Sequence, residues 1–325
     1  KMDSTVWAWG INTYGTIGNG TNIDSNVPLQ VDSLTGIVAI SEGAAHSIAL
    51  AKDGTVWAWG LNYYGQLGNG TNTDTNVPTQ VDSLSGVVAI AGGGSHTLAL
   101  KGDGTVWAWG ANISGQLGNG TGTNSNIPVQ VASLTGITAI ATCEDISLAL
   151  KNDGTVWSWG GNGNGELGNG TTTYDNTVPL QMVSLTGVVA VAAGIFHTLA
   201  LKNDGTLWTC GYNLFGQLGD GTVDQTTVPV QVSGLCSITT AVQETPADAA
   251  VTISPNPTSG DVVIDGGRPS ALKTVEVTNA MGQRIIATSF TNKREVLDLS
   301  AQPSGLYFIT IRGEGRPYFG KVIKE

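Results

Sequence analysis

The apolar positions of the first 240 residues fall in short runs that return at a fixed interval. The second occurrence begins at Thr55. It reads TVWAWG, then the polar LNYYGQLGNGTNTDTN, then VPTQV, then GVVAIAGGGSHTLALKGDG. The apolar runs are rich in Val, Ile, Trp and Leu and are bounded by Gly, Asn and Asp, which predicts four short strands per occurrence. The first Trp recurs as Trp7, Trp57, Trp107, Trp157 and Trp208, at intervals of 50, 50, 50 and 51 residues. A period in this range is the signature of a propeller or solenoid, and four strands per period fit a propeller blade.

Local chemistry agrees with that reading. Asp53-Gly54, Asp103-Gly104, Asp153-Gly154 and Asp204-Gly205 each join two apolar runs. An Asp-Gly in that position predicts a hairpin with a type I′ turn. The alternation Trp57-Ala58-Trp59 places both indoles on one face of a strand and the small residue on the other. Such a division suits sheets stacked face to face, so the tryptophans read as blade packing, with an aromatic sugar platform as the alternative. Gly65, Gly68 and Gly70 sit where a Cβ would obstruct a tight loop or the next blade.

WAWGLNYYGQLGNGT followed by SHTLALKGDGT resembles the regulator-of-chromosome-condensation repeat, five times over residues 1–240. The resemblance implies an all-β propeller, typically of seven blades. Family members include a nucleotide-exchange factor for a small GTPase, a secreted bacterial inhibitor of β-lactamases and many bacterial surface proteins, so fold carries over and function does not. Five WAWG-like strands but only four HTLAL-like strands are present, and the chain opens at KMDSTVWAWG. About five blades are therefore expected. They form either an arc of a seven-bladed ring or an array whose open edges pair with another chain. The arc is preferred, because about 100 more residues would complete seven blades at this period.

The copies differ at a few loop positions. Tyr14, Tyr63, Tyr64, Tyr212 and Phe215 stand on or beside the loop that leads into Gly-Gln-Leu-Gly and are candidate ligand contacts, as amphipathic or aromatic area. Drift in tolerant loops is the alternative. His46, His96 and His197 recur at one place in the repeat and Ile146 takes that place in the third copy, which argues against a metal site. Each histidine is expected to bond backbone within its own blade. No spacing suggests a Ser-His-Asp or Cys-His arrangement or a paired acid and base, so no enzyme, cofactor or metal is expected. Cys210 takes the place of the second Trp, and Cys236 that of a Ser or Thr in the four earlier copies. The two read as a disulfide or as separate buried thiols. The Asn-Gly-Thr triplets at Asn19, Asn69, Asn119 and Asn169 match a glycosylation sequon but read as turns.

Composition changes after about residue 240. Residues 1–240 hold 5 Lys+Arg against 16 Asp+Glu, whereas residues 241–325 hold 9 of each. An acidic propeller without a basic stripe excludes nucleic acid as an expected partner. Residues 241–250, AVQETPADAA, read as a linker. From residue 251 seven apolar segments follow: VTISPNP, DVVIDG, KTVEVTNA, QRIIATSF, EVLDLS, GLYFITIR and YFGKVIKE. They predict a small Ig-like β-sandwich.

SPNPTSG, VTNAMGQRI, LDLSAQPSGLYFITI and the final GKVIKE resemble the C-terminal sorting domain of type IX secretion cargo, with Pro255, Asn256, Pro257, Gly260, Gly282, Gly305 and Lys321 matching its pattern. The resemblance implies a Bacteroidota-type bacterium, the type IX secretion machinery as a partner, and display on the outer surface or release. No apolar run is long enough to span a membrane. The expected function is a secreted or surface-displayed, non-enzymatic binding protein, such as an adhesin or interaction scaffold, that recognises a surface protein or glycan. The alternatives are a structural protein assembling through open blade edges, and a glycan-active enzyme or protein inhibitor.

Overall fold

The computed structural model describes residues 5–234, 252–265, 273–279, 283–292, 294–312 and 318–325; the expected linker, Cys236 and Gly282 lie outside these. The chain divides into two units, Lys1–Thr239 and Thr240–Glu325.

The first unit begins with β1 (Trp7–Gly10) and β2 (Ser25–Gln30), paired as a two-stranded sheet. Four antiparallel sheets of four strands follow. They are β3 (Ile37–Glu42), β4 (His46–Ala51), β5 (Val56–Gly60) and β6 (Thr75–Gln80); β7 (Val87–Gly92), β8 (His96–Lys101), β9 (Val106–Gly110) and β10 (Ser125–Gln130); β11 (Ile137–Cys143), β12 (Ile146–Lys151), β13 (Val156–Gly161) and β14 (Asp175–Gln181); and β15 (Val188–Ala193), β16 (His197–Lys202), β17 (Leu207–Gly211) and β18 (Thr226–Gln231). Each blade takes its first two strands from one sequence repeat and its last two from the next. Five repeats thus give four complete blades and one half-blade among the described residues. The first strands β3, β7, β11 and β15 pack against one another in series.

Two blades contribute to each stretch of core. Ile48, Leu50, Val56 and Ala58 of β4 and β5 pack with Val81 and Leu84 of the connection after β6 and with Val87, Ala99 and Trp109 of the next blade. Neither face is buried until its neighbour arrives, which is why the unit is a stack of repeats. The Asp-Gly hairpins are tight, but not of type I′. Only the Gly has positive φ (Gly54, +81°), the Gly54 amide bonds the Ala51 carbonyl and the Ala51 amide bonds the Thr55 carbonyl. This is a three-residue loop closed by a left-handed Gly. Asp53 Oδ1 accepts from the amide and hydroxyl of Thr55, and that local pair favours the wider loop.

The second unit has the seven strands the pattern predicts. They are β19 (Thr252–Ser254), β20 (Asp261–Asp265), β21 (Lys273–Asn279), β22 (Arg284–Phe290), β23 (Arg294–Asp298), β24 (Gly305–Arg312) and β25 (Tyr318–Lys324). β19-β20-β23 and β22-β21-β24-β25 form two sheets around Val262, Ile264, Val275, Val277, Leu297, Ile309 and Val322. Asn256 of the Pro-Asn-Pro motif clamps the last strand: its Nδ2 donates to the Lys321 carbonyl and its Oδ1 accepts from the Ile323 amide, both at 2.9 Å.

Candidate binding face

The loop after each WAWG strand is built on a buried asparagine. Asn62 Nδ2 donates to the carbonyls of Thr71 (3.0 Å) and Thr73 (3.1 Å), and its Oδ1 accepts from the Leu67 amide (3.0 Å). Its own amide donates to Asp74 Oδ1 at 2.7 Å. Asn12, Asn112 and Asn213 repeat the same inward bonds and Asn162 most of them. A buried amide whose bonds are all satisfied fixes a loop, since releasing it would strand several backbone groups. Farther along the loop, Asn69 Oδ1 accepts from the Thr71 amide and hydroxyl, so the Asn-Gly-Thr triplets are side-chain-closed turns, as expected.

These fixed loops hold their tips outward. The pairing of His46 with Gly60 puts the turn between the first two strands at the same end of the blade as the loop tip. In the last blade that geometry makes a cluster. The ring of Tyr212 lies 6.1 Å from Phe196 and 6.2 Å from Phe215, and Phe215 is 85% exposed. Tyr63 and Tyr64 meet edge to face at 4.8 Å. Tyr14 is exposed and makes no ring contact among the described residues. The five sequence candidates therefore divide into one pair, two members of a cluster, and a single ring.

Phe196 is the residue that sequence comparison missed. It stands in the turn before His197, where the first two blades have Ala45 and Ser95. The signal was a departure from the repeat in the turn, not in the loop. A cleft of about 140 Å3 adjoins it, lined by Glu144, Asp145, Glu166, Tyr174, Ile195 and Phe196. Two of its three carboxylates are held in place: Asp145 accepts from Ser114 Oγ (3.2 Å) and Gln116 Nε2 (2.7 Å), and Glu166 from the amide and Nδ2 of Asn164. The surface offers aromatic area beside fixed acceptors, suited to stacking and to donor groups.

The histidines serve the frame, by a route other than the one expected. Among the described residues none bonds backbone within its own blade; His46 Nε2 reaches Thr97 Oγ1 of the next blade at 3.0 Å, and His96 Nε2 reaches Ser147 Oγ at 2.9 Å and Thr142 Oγ1 at 2.8 Å. Thr97 and Ser147 already donate to the carbonyls of Gln66 and Gln116, so each ring nitrogen is the donor. Stacked blades bring the hydroxyls to the rings, which no single repeat reveals. Burial lowers His46 to about 4. Burial first, and the charge of His46 second, lower His96 to about 3 against a backbone hydrogen bond at Glu144. His197 is half-buried, and burial lowers it too.

Cys210 is a buried free thiol whose Sγ lies 3.4 Å from the Glu166 carbonyl, where the earlier copies have an indole. Burial raises its pKa, with Glu166 adding to the effect. Its expected pairing with Cys236 falls outside the described residues. Burial first and Glu144 second raise the Cys143 thiol.

Comparison with known proteins follows the same division. Residues 1–186 match the family described as RCC1-like domain, residues 188–217 and 204–243 match the regulator of chromosome condensation (RCC1) repeat, and residues 252–325 match the secretion system C-terminal sorting domain. The human E3 ubiquitin-protein ligase HERC2 is 44% identical over 52 residues, 15% of this chain and 1% of its own length. The Drosophila melanogaster ligase highwire is 43% identical over 53 residues, 16% of this chain and 1% of its own. The chain thus spans about one hundredth of the length of these relatives. Human WBSCR16 superposes with a TM-score of 0.65 at 24% identity, covering 81% of this chain and 69% of that one. Yeast RCC1 (Prp20), solved bound to Kap60, superposes with a TM-score of 0.60 at 19% identity, covering 94% and 78%.

Proposed function

The chain belongs to the family of RCC1-like repeat propellers, and from that premise we propose that it is a non-enzymatic binding scaffold of the adhesin type. Residues 252–325 are a secretion-system sorting domain, so the protein is exported by the type IX route and resides at the cell surface or outside the cell. The sorting domain is the part that meets the secretion machinery. The propeller is the part left free to meet a target, and RCC1-like propellers are a binding and regulatory fold.

One observation carries the reading: exposed or half-buried aromatic side chains stand at one end of the blades, all but Phe196 on or beside loops locked by buried asparagines. Phe196, Tyr212 and Phe215 form the strongest patch, Tyr63 and Tyr64 the second, and Tyr14 extends the row. Rigid aromatics bury large area at low entropic cost, which is what a binding hot spot needs. The neutral buried histidines and the raised cysteine thiols support a non-catalytic role. Prp20 of Saccharomyces cerevisiae is described with its binding properties to Gsp1p and histones; what carries over is work by binding, with a glycan or protein of the cell envelope as target.

Screening the purified full chain against envelope glycans and envelope proteins tests this. The double variant Tyr212→Ala/Phe215→Ala should weaken a ligand so found at least tenfold and leave the unfolding midpoint in place. Unchanged affinity in that variant and in Tyr63→Ala/Tyr64→Ala overturns the assignment of the face.

A further inference from the structure

Departures from the repeat gather at one boundary inside the first unit, between the blade β11–β14 and the blade β15–β18. In the turn between the first two strands of a blade, Ala44-Ala45 and Gly94-Ser95 give way to Glu144-Asp145 and then to Ile195-Phe196. In the loop after the third strand, Glu166 takes the position held by Gln66, Gln116 and Gln217. The same loop has Gly161 where Leu61, Ala111 and Tyr212 stand in other copies, and Gly163 where Tyr63, Ile113 and Leu214 stand. It is also one residue longer, since Gly160 opposes Asn176 where Gly60 opposes Thr75, and Tyr174 lies in the lengthened segment.

All of these changed residues line the cleft of about 140 Å3 beside Phe196. The two glycines make its room. Neither has positive φ, so the backbone does not require glycine at either place. A Cβ on Gly161 would stand 3.4 Å from Asp145, and one on Gly163 would stand 3.3 Å from the Tyr174 ring. The larger side chains of the other copies would therefore fill the space.

The cleft is anionic and lacks a counter-charge. Glu166 is only 4% exposed, and a carboxylate buried to that degree calls for a cation. Its hydrogen bonds come from the neutral Asn164, and those of Asp145 from the neutral Ser114 and Gln116. Among the described residues neither of them, nor the exposed Glu144, forms an ion pair. Lys52, Lys101, Lys151 and Lys202 stand at the hairpin end of their second strands, opposite the turn end where the cleft lies. A carboxylate oxygen that accepts one hydrogen bond keeps a lone pair for another donor. Tyr174 and Phe196 add exposed rings at the rim.

We propose that this cleft seats an arginine side chain of a protein partner. The planar guanidinium donates to the carboxylates of Glu166 and Asp145 and stacks on the rim aromatics, a pairing that a point charge matches less well. The volume suits a side-chain tip, being below the roughly 300–1,000 Å3 of pockets that enclose small-molecule ligands. The acidic propeller favours approach of a basic partner. The proposal rests on the reading of this end of the blades as a binding face, and it names the chemistry of one contact there.

Titration of the isotope-labelled full chain with the peptide acetyl-Gly-Arg-Gly-amide tests it, with acetyl-Gly-Gln-Gly-amide as the neutral control. Saturable shifts of the amide resonances of residues 161–166 and 194–197 are expected with the arginine peptide alone, weakening as salt is raised. Glu166→Gln should weaken binding at least tenfold, and Gly163→Tyr should abolish it by filling the cleft. An unchanged unfolding midpoint in both variants controls for folding. Equal binding of the two peptides, no saturable shift, or unchanged affinity in both variants overturns the proposal. Binding of glucosamine in place of the arginine peptide also overturns it, by assigning the cleft to a sugar amine. An envelope ligand that needs Tyr212 and Phe215 but neither Glu166 nor the space at Gly163 defeats this inference alone. Arginine-peptide binding that survives Tyr212→Ala/Phe215→Ala, with no envelope ligand found, supports the cleft while the wider face fails.

Discussion

The Nε2–H of His46 donates to Thr97 Oγ1 at 3.0 Å, across a blade boundary and 51 residues of sequence. The bond ties blade to blade, and it makes stability depend on pH. Both rings are neutral when folded, His46 with a pKa of about 4 and His96 of about 3, against 6.5 for the unfolded chain. A lowered folded value means that the unfolded state binds more protons between the two pKa values. Stability is therefore complete above about pH 6.5 and lost as pH falls toward 4. The loss from His46 should be about 2 kcal/mol at pH 5. Denaturant unfolding at pH 7.5 and pH 5 measures it, and His46→Gln, which keeps a donor but does not titrate, should remove that share of the loss and leave the share of His96.

Trp109 and Trp9 hold one position in the repeat but should respond in opposite ways. Trp109→Ala removes an indole wholly enclosed between two blades and should cost about 3–5 kcal/mol. Trp9→Ala should change stability by less than about 0.5 kcal/mol, since its side chain is mostly in water. Chemical denaturation of the two variants side by side checks the contrast.

Asn112→Ala should loosen one blade loop without touching an exposed residue. It strands the Leu117 amide and the Thr121 and Thr123 carbonyls. The cost should be about 3 kcal/mol, with faster hydrogen exchange confined to the loop 111–124.

In the sorting domain, Asn256→Ala removes both bonds to the last strand. The domain should lose about 1–2 kcal/mol. Thermal unfolding of the full chain, and the fraction of protein exported in cells that secrete it, should both fall.

Much of this was legible in the sequence. The repeat period, the order of strands, the seven strands of the sorting domain and the turn character of Asn-Gly-Thr all follow from local pattern and local hydrogen bonding. So did the need for Gly65 and Gly68, because a glycine held in every copy marks a backbone constraint. Local pattern misled at the Asp-Gly turns, where the Asp53 carboxylate draws Thr55 into a wider loop.

What the tertiary structure decided is which neighbour each repeated residue meets. Trp9, Trp59 and Trp109 are identical in strand and register, yet one is exposed and two are buried. Phe196 joins Tyr212 and Phe215 only because a turn and a loop 16 or more residues apart in sequence share one end of a blade. Periodicity states what each unit is and repeats the same statement for all of them. Burial, protonation and exposed surface depend on what packs against a unit, and that is set by stacking in three dimensions.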